Sequence, residues 1–300
     1  MRLALLAAAM TGVQVGAALV ASEAIVADVG AGRLGFLRYA IALVFLLPFA
    51  VRAAGPAFRK SDLLPVALIG IGQFGVLVAL LNIAVLYSSS ARVSLVFATL
   101  PIVTLGVGWA MAREAITART FIAIALSVIG VGVLVGADAL SGALAASDLT
   151  GLGCAALATL TGAVCSSLYR PYLRRYGVAR VSVIAMVASL APLGVLGLLE
   201  THGVAMADWS AATMALIGFV GLSSGIGYLM WLYALTNAPA GIVTAFLALS
   251  PVTTMTISVV WLDAQMSSAL GVALVLILGG LAVTAFQRQP GRSGDGTGRE

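Results

Sequence analysis

Ten apolar segments, each long enough to cross a lipid bilayer as a helix, dominate the sequence. They cover residues 3–25, 33–51, 63–86, 92–111, 119–137, 150–170, 181–199, 210–235, 240–261 and 267–286. A helix needs about 20 predominantly apolar residues to cross the hydrocarbon core. Because 61% of the residues are hydrophobic and only 9% are charged, most of the folded surface must face lipid rather than water. The sequence therefore predicts an all-α integral membrane protein with ten transmembrane helices, whose surroundings are the lipid bilayer.

The cations collect in alternate loops and in the C-terminal tail, and lysine and arginine favour the cytoplasmic side of a membrane. This set comprises Arg52, Arg59, Lys60, Arg113, Arg119, Arg170, Arg174, Arg175, Arg180, Arg288, Arg292 and Arg299. The other loops hold Asp28, Asp138, Asp148, Glu200, Asp208 and Asp263. We expect a multi-pass protein of the cytoplasmic (inner) membrane with both termini cytoplasmic. Residues 287–300 have no apolar face and are predicted to be a disordered tail.

The second half of the chain repeats the first at a constant offset of 150 residues. The offset superimposes Thr11 and Gly12 on Thr161 and Gly162, Gly75 on Gly225, Ala98 on Ala248, Pro101 on Pro251, Thr104 on Thr254 and Gly130 on Gly280. Each half holds five helices, and an odd number makes the second copy enter the bilayer in the opposite sense. We predict a first repeat over residues 1–145 and an inverted second repeat over 146–286. Inverted repeats are typical of alternating-access carriers that bind a small-molecule substrate near the midplane.

Three stretches of sequence identify a family. They are GFLRYAIALVFLLPFAVR at 35–52, the segment 93–135 with Pro101, Glu114 and Gly130, and the segment 241–280 with Pro251. With them the chain resembles the ten-helix, EamA-like branch of the drug/metabolite transporter superfamily over nearly its whole length. The resemblance implies export of amino acids, their analogues and other small metabolites. The second copy departs from the pattern, with Asp263 one position away from the equivalent of Glu114 and Ala188 in the place of Arg38.

Two charged residues lie inside predicted helices near the same depth. Arg38 is costly in apolar surroundings unless it is paired or reaches an interface. One interpretation is snorkelling to the outer interface, and the other is substrate binding or gating. Glu23 could pair with Arg38 or accept a proton.

Uncharged polar and aromatic residues complete the predicted site. Gln14 and Asn82 lie well inside helices, where amides either bond to neighbouring helices or contact substrate. The remaining candidates for substrate binding or gating are Tyr39, Ser223, Tyr228 and Trp231. Pro101 and Pro251 interrupt their helices at equivalent positions and are predicted hinges.

Other kinds of site and function are not favoured by the residues. GIGQFG at 70–75 spells a dinucleotide motif, but it lies in an apolar span, and the chain lacks a phosphate-binding GxxxxGK[ST] loop. No cofactor, structural metal or nucleic-acid partner is expected. GLSSG at 221–225 spells a serine elbow, which leaves an intramembrane serine hydrolase as a remote alternative, although His202 is predicted in a loop. A passive channel is the nearer alternative. The small-xxx-small patterns are compatible with a monomer or a homodimer.

Overall fold

The computed structural model describes residues 2–53, 55–111, 118–140, 145–201, 203–237, 246–263 and 267–285. Within these ranges the chain forms ten helical segments and no strand, which confirms the predicted fold class. The segments are α1 (Arg2–Val29), α2 (Ala31–Arg52), α3 (Lys60–Tyr87), α4 (Ser90–Ala110), α5 (Ala118–Leu140), α6 (Ala146–Tyr176), α7 (Val178–Leu199), α8 (Ala211–Asn237), α9 (Phe246–Trp261) and α10 (Ser268–Ala285). The predicted tail, Glu114 and His202 lie outside the described residues.

Seven of the described helices are long and apolar enough to cross a membrane, and α5, α9 and α10 contain shorter apolar helices. Their packing suits a lipid environment. On α1, small residues such as Ala4 and Ala8 are buried, whereas the larger Leu3 and Leu6 are exposed. Large apolar side chains that face outward find favourable surroundings in hydrocarbon, and small residues allow helices to approach closely.

Three of the helices are irregular. A π-helical turn, Ile71–Val76, interrupts α3. In α4 the α-helix ends at Ala98 and resumes at Leu100, just before Pro101. In α9 a 3₁₀ turn, Phe246–Ala248, precedes the α-helix that contains Pro251. Proline cannot donate a backbone hydrogen bond, so both prolines lie next to the irregularity that their chemistry favours.

Glycine contacts give the relative directions of the helices. Gly12 approaches Leu249 and Gly16 approaches Thr253, so α1 and α9 run parallel. Gly32 contacts Leu196 and Gly35 contacts Leu193, so α2 and α7 are antiparallel. These directions are those of a chain that crosses the bundle ten times, with the second five helices inverted relative to the first.

The 150-residue offset also relates contacts between helices. A β-carbon on Gly130 would approach Ile277 and Ala273, and one on Gly280 would approach Ser127 and Ala123. Both contacts join α5 to α10, and each is the other shifted by 150 residues. The same shift relates the packing of Gly225 on Ala42 in α2 to that of Gly75 on Pro192 in α7. The repeat is therefore a property of the packing as well as of the sequence.

The two ends of the bundle differ in charge. The basic end carries Arg52, Arg59, Lys60, Arg170, Arg174, Arg175 and Arg180, at the ends of α2 and α6 and the starts of α3 and α7. The acidic end carries Glu23, Asp28, Asp148, Glu200 and Asp208, at the ends of α1 and α7 and the starts of α6 and α8.

Candidate functional site

Arg38 lies at the interface between α2 and α8, and therefore between the two repeats. Its side chain is half-buried, and its Nε donates to Ser224 Oγ at 2.6 Å. The neighbouring Gly225 packs against Ala42 and Phe45, at 3.2 and 3.3 Å from the position of a β-carbon. Since α2 and α8 run from the acidic end to the basic end, Ser224 is level with a part of α2 beyond Arg38. The guanidinium therefore extends toward the basic end. Snorkelling to the nearer, acidic end, the alternative considered for Arg38, does not occur.

Gln14 joins α1 to the same part of α8. Its Nε2 donates to the carbonyl of Ser223, and its carboxamide occupies the space that a side chain would need at Gly227. The hydroxyl of Ser223 donates to Val220 O at 3.0 Å within its own helix. Gln14, Arg38 and Ser223 are thus brought together around one turn of α8.

Tyrosine hydroxyls lie nearby at the meeting of the two repeats. Tyr228 of α8 shares a hydrogen bond with Ser182 of α7. It is close enough to Tyr39 of α2 and to Tyr169 of α6 to interact electrostatically with both. The ring of Tyr39 meets Phe74 of α3 edge-on, with centroids 5.4 Å apart. The predicted site residues Tyr39 and Tyr228 therefore belong to a central polar layer between the repeats.

A broadly open cavity of about 500 Å³ lies between α1, α2, α7 and α8 on the basic-end side of this layer. Its wall includes Phe49, Ile226 and Tyr233, which are 55%, 45% and 47% exposed. The remaining lining residues are apolar: Ala7, Ala179, Leu229 and Met230. This volume suits a small, largely apolar solute.

The corresponding positions at the acidic end are more closely packed. Shifting the seven lining residues by 150 gives Val29, which is fully buried, and Ala79, Leu80 and Ile83, which are partly buried and pack against the main hydrophobic core. The other three equivalents, Leu157, Leu199 and Val76, are exposed. Four of the seven positions that line a cavity at one end thus belong to, or pack against, the core at the other.

Glu200, at the end of α7, closes the acidic end over α2. Its Oε1 accepts from Gly32 N at 2.7 Å and its Oε2 from Arg33 N at 3.4 Å. Arg33 in turn donates from Nε to Gly197 O at 2.9 Å and from Nη2 to Glu200 O at 3.1 Å. The carboxylate therefore caps the first turn of α2, where backbone N–H groups and the helix dipole both favour negative charge.

Two further carboxylates join helices at the acidic end. Asp148 Oδ1 of α6 accepts from Ser88 Oγ and from Arg92 Nη1, each at 2.8 Å. Glu23 Oε2 of α1 accepts from Ser90 N, at the start of α4, at 3.0 Å. With the bonds of Glu200, these form what we term the acidic-end contacts, of which those of Glu200 and Asp148 connect one repeat to the other.

Glu23 does not pair with Arg38, which was one of the two roles that the sequence allowed for it. Both residues are described, and no ion pair joins them. The similar depth of Glu23 and Arg38 in the bilayer suggested that they could pair. Glu23 instead lies beside the N-terminus of α4, where a free backbone N–H group is its hydrogen-bond donor.

The other predicted residues lie away from Arg38. Asn82 is buried near the acidic end and donates from Nδ2 to Ala31 O at 2.9 Å. Trp231 packs toward the basic end against a cluster that includes Ala7 and Ala8. Pro101 and Pro251 lie beside the helix irregularities of α4 and α9, where the hinge role stays a prediction.

Several residues around the site were not predicted, although signals for them existed. Ser224, the partner of Arg38, lies in the GLSSG segment, whose sequence also spells a serine elbow. In the sequence Glu200 indicates only the charge of its loop. Gln73, whose Oε1 is buried without a partner, occupies the position in the π-helical turn that corresponds to Ser223 after the 150-residue shift. Ser182 carried no signal beyond its place in an apolar span.

Comparisons with known proteins agree with this architecture. The model of the EamA-like transporter family matches residues 2–136 and 149–286. A solved structure described as "Crystal structure of protein" matches with a TM-score of 0.66 and 20% sequence identity, covering 94% of this chain and 97% of that chain. At that identity it supports the fold alone. No curated protein matches. The two family matches fall on the two five-helix repeats, and the chain therefore belongs to the EamA-like transporter family, whose members are multi-pass membrane transporters and not enzymes.

Proposed function

We propose that this transporter exports small metabolites such as amino acids, including aromatic ones, by alternating access across the cytoplasmic membrane. The observation that carries the proposal is a difference between the two ends. A cavity opens at the basic end, whereas four of its seven symmetric counterparts at the acidic end, Val29, Ala79, Leu80 and Ile83, belong to or pack against the main hydrophobic core. Exchange of these two arrangements between the inverted repeats would present the site to the other side.

The charge of the two ends supports the direction. Arginine and lysine favour the cytoplasmic side of membranes, so we place the basic end in the cytoplasm. The cavity would then face the cytoplasm in this conformation, and a solute would enter it from inside the cell. Release to the outside would require the acidic-end contacts to open.

The lining of the cavity supports a small amphiphilic solute. Phe49, Leu229 and Met230 offer apolar surface, and Tyr233 offers a hydroxyl. Arg38 and Ser224 supply a cation and a hydroxyl at the interface between the two repeats. An amino acid with an apolar or aromatic side chain combines both kinds of group.

The experiment is uptake of a panel of radiolabelled amino acids into liposomes that contain the purified protein, with and without unlabelled solute inside. We expect saturable uptake that preloading stimulates. Leu229→Trp would fill the cavity and should abolish it. Leu198→Trp adds the same ring at a side chain that is 86% exposed and should leave uptake unchanged.

A passive channel, the second function considered, predicts a different outcome. Flux through an open pore would neither saturate in the same range nor be stimulated by preloading. The acidic-end contacts favour the carrier, because a pore requires access from both ends at once. Uptake without counterflow would contradict alternating access, and no uptake of any amino acid would contradict the proposed substrate class.

A further inference from the structure

We propose that Arg38 is the receptor for one carboxylate group of the transported solute, so that the transporter selects small carboxylates with an apolar body. This inference rests on the proposed function, since it names the chemistry that the same site would recognise. It adds that one charged group of the solute, and not its amine, determines binding.

Charge balance is the first argument. The hydrogen-bond partner of Arg38 is the neutral hydroxyl of Ser224, and none of the described carboxylates forms an ion pair with it. The nearest candidates are occupied at the acidic end: Glu23 by Ser90 N, Glu200 by the start of α2, and Asp148 by Arg92. A guanidinium inside a membrane protein without an anion is costly, and such residues mark substrate pathways.

Direction is the second argument. An arginine that only avoided the bilayer would extend to the nearer end of its helix. Arg38 instead reaches Ser224, which is about 20 Å along α8 from its first residue, Ala211, by the helical rise. The guanidinium is therefore held inside the bundle, at the interface between α2 and α8 and away from the nearer, acidic end.

The geometry of the guanidinium is the third argument. Only Nε is used in its bond to Ser224 among the described residues. The two terminal nitrogens keep four N–H donors in a planar fork, which matches the two oxygens of a carboxylate. The serine holds the side chain in place without neutralising it, and a charge-assisted pair with solute would supply the missing anion.

The surroundings explain why one charge is recognised and not two. The polar groups that hydrogen-bond on or beside the same part of α8 are neutral: the carboxamide of Gln14 and the hydroxyls of Ser182 and Tyr228. The cavity wall itself is apolar apart from Tyr233. An ammonium group would meet only neutral acceptors here, so its contribution to affinity should be smaller than that of the carboxylate.

The test uses four compounds with one common body: L-phenylalanine, L-phenylalaninamide, 3-phenylpropionate and phenethylamine. Their binding to the purified wild-type protein is measured as the concentration that gives half-maximal thermal stabilisation, at constant ionic strength. We expect the two carboxylates to bind at least about tenfold more tightly than the amide and the amine, as a charge-assisted hydrogen-bonded pair would give. This comparison needs no variant, so a variant that fails to fold would leave it intact.

Variants then locate the effect. Arg38→Gln should remove the preference for carboxylates, and Arg38→Lys, which keeps the charge but loses the fork, should retain a reduced one. Arg52→Gln, at an exposed position of the basic end, should change nothing. Equal binding of all four compounds, a preference that survives in Arg38→Gln, or no binding of either carboxylate would overturn the proposal.

Transport is scored separately. Carboxylate binding that depends on Arg38, without counterflow of phenylalanine, would retain this inference and reject amino-acid transport. Counterflow of phenylalanine that the amide and the amine inhibit as strongly as 3-phenylpropionate does would retain transport and reject the role of Arg38.

Discussion

Glu200→Gln should open the acidic end without unfolding the protein. The carboxylate accepts two backbone hydrogen bonds at the start of α2, at 2.7 and 3.4 Å, and lies on the positive end of that helix. Glutamine keeps one acceptor oxygen and loses the charge. The lost charge-assisted bond and dipole interaction amount to about 1–2 kcal/mol. If these contacts hold the acidic end closed, the ratio of open to closed protein should rise about 5- to 30-fold.

The assay is the rate at which a polar maleimide modifies a single cysteine at position 85, in protein without its native Cys154 and Cys165. Val85 is 4% exposed and belongs to the core near the acidic end of α3, where a thiol should react mainly when that end opens. Lipid nanodiscs make both faces accessible, so the result does not depend on membrane orientation. Glu200→Gln should increase the rate in proportion to the open fraction.

Asp208→Asn is the matched control, because Asp208 is an exposed carboxylate of the same end outside the acidic-end contacts. Its rate should equal that of the parent. An unchanged rate in Glu200→Gln, with an unchanged melting temperature, would refute the reasoning that these bonds oppose opening.

Three other predictions concern helix packing, the hinges and the rejected hydrolase. Gly16→Ala should lower the free energy of unfolding by about 1–3 kcal/mol, because the backbone of α9 leaves no room for a β-carbon. The control is Gly132→Ala, which has open space around it and should leave the melting temperature unchanged. Pro101→Ala and Pro251→Ala should each slow counterflow while leaving binding affinity within about twofold, because restored helix hydrogen bonds stiffen the proposed hinges; weakened binding with normal rates would argue against hinges. Ser223→Ala should retain transport, because the backbone carbonyl and not the hydroxyl accepts from α1, and a fluorophosphonate should label neither protein.

The helices and the repeat followed from the sequence because each has a local cause. Apolar runs of membrane-spanning length predicted α1–α10, and the offset of 150 residues predicted two related halves, whose contacts recur in the structure with the same shift. Gly130 and Gly280 illustrate the second point, since each packs against the positions that the shift assigns to the other. Such contacts depend on small residues at fixed spacing, which a sequence displays directly.

The partners of charged residues could not be predicted in the same way. Depth in the bilayer placed Glu23 and Arg38 together, but the choice of partner depends on rotation about the helix axis and on free backbone groups at helix ends. Glu23 faces the start of α4 and Arg38 faces α8. The sequence could not predict which end of the bundle holds the cavity. Both repeats encode the same scaffold, so the position of the cavity depends on the conformation that the helices adopt.

The differences between the repeats concentrate the polar site on one half of the interface. Arg38, Gln14 and Ser224 of the α1–α2–α8 side correspond, after the shift, to Ala188, Val164 and Phe74. The apolar side instead contains the π-helical turn of α3 and the unpartnered Gln73. If the repeats exchange their arrangements as proposed, we expect the solute to stay bound to α2 and α8 throughout. A carrier of this kind needs symmetry in its packing and asymmetry in its chemistry, because a second arginine at position 188 would give the solute two competing sites and leave one cation buried without an anion.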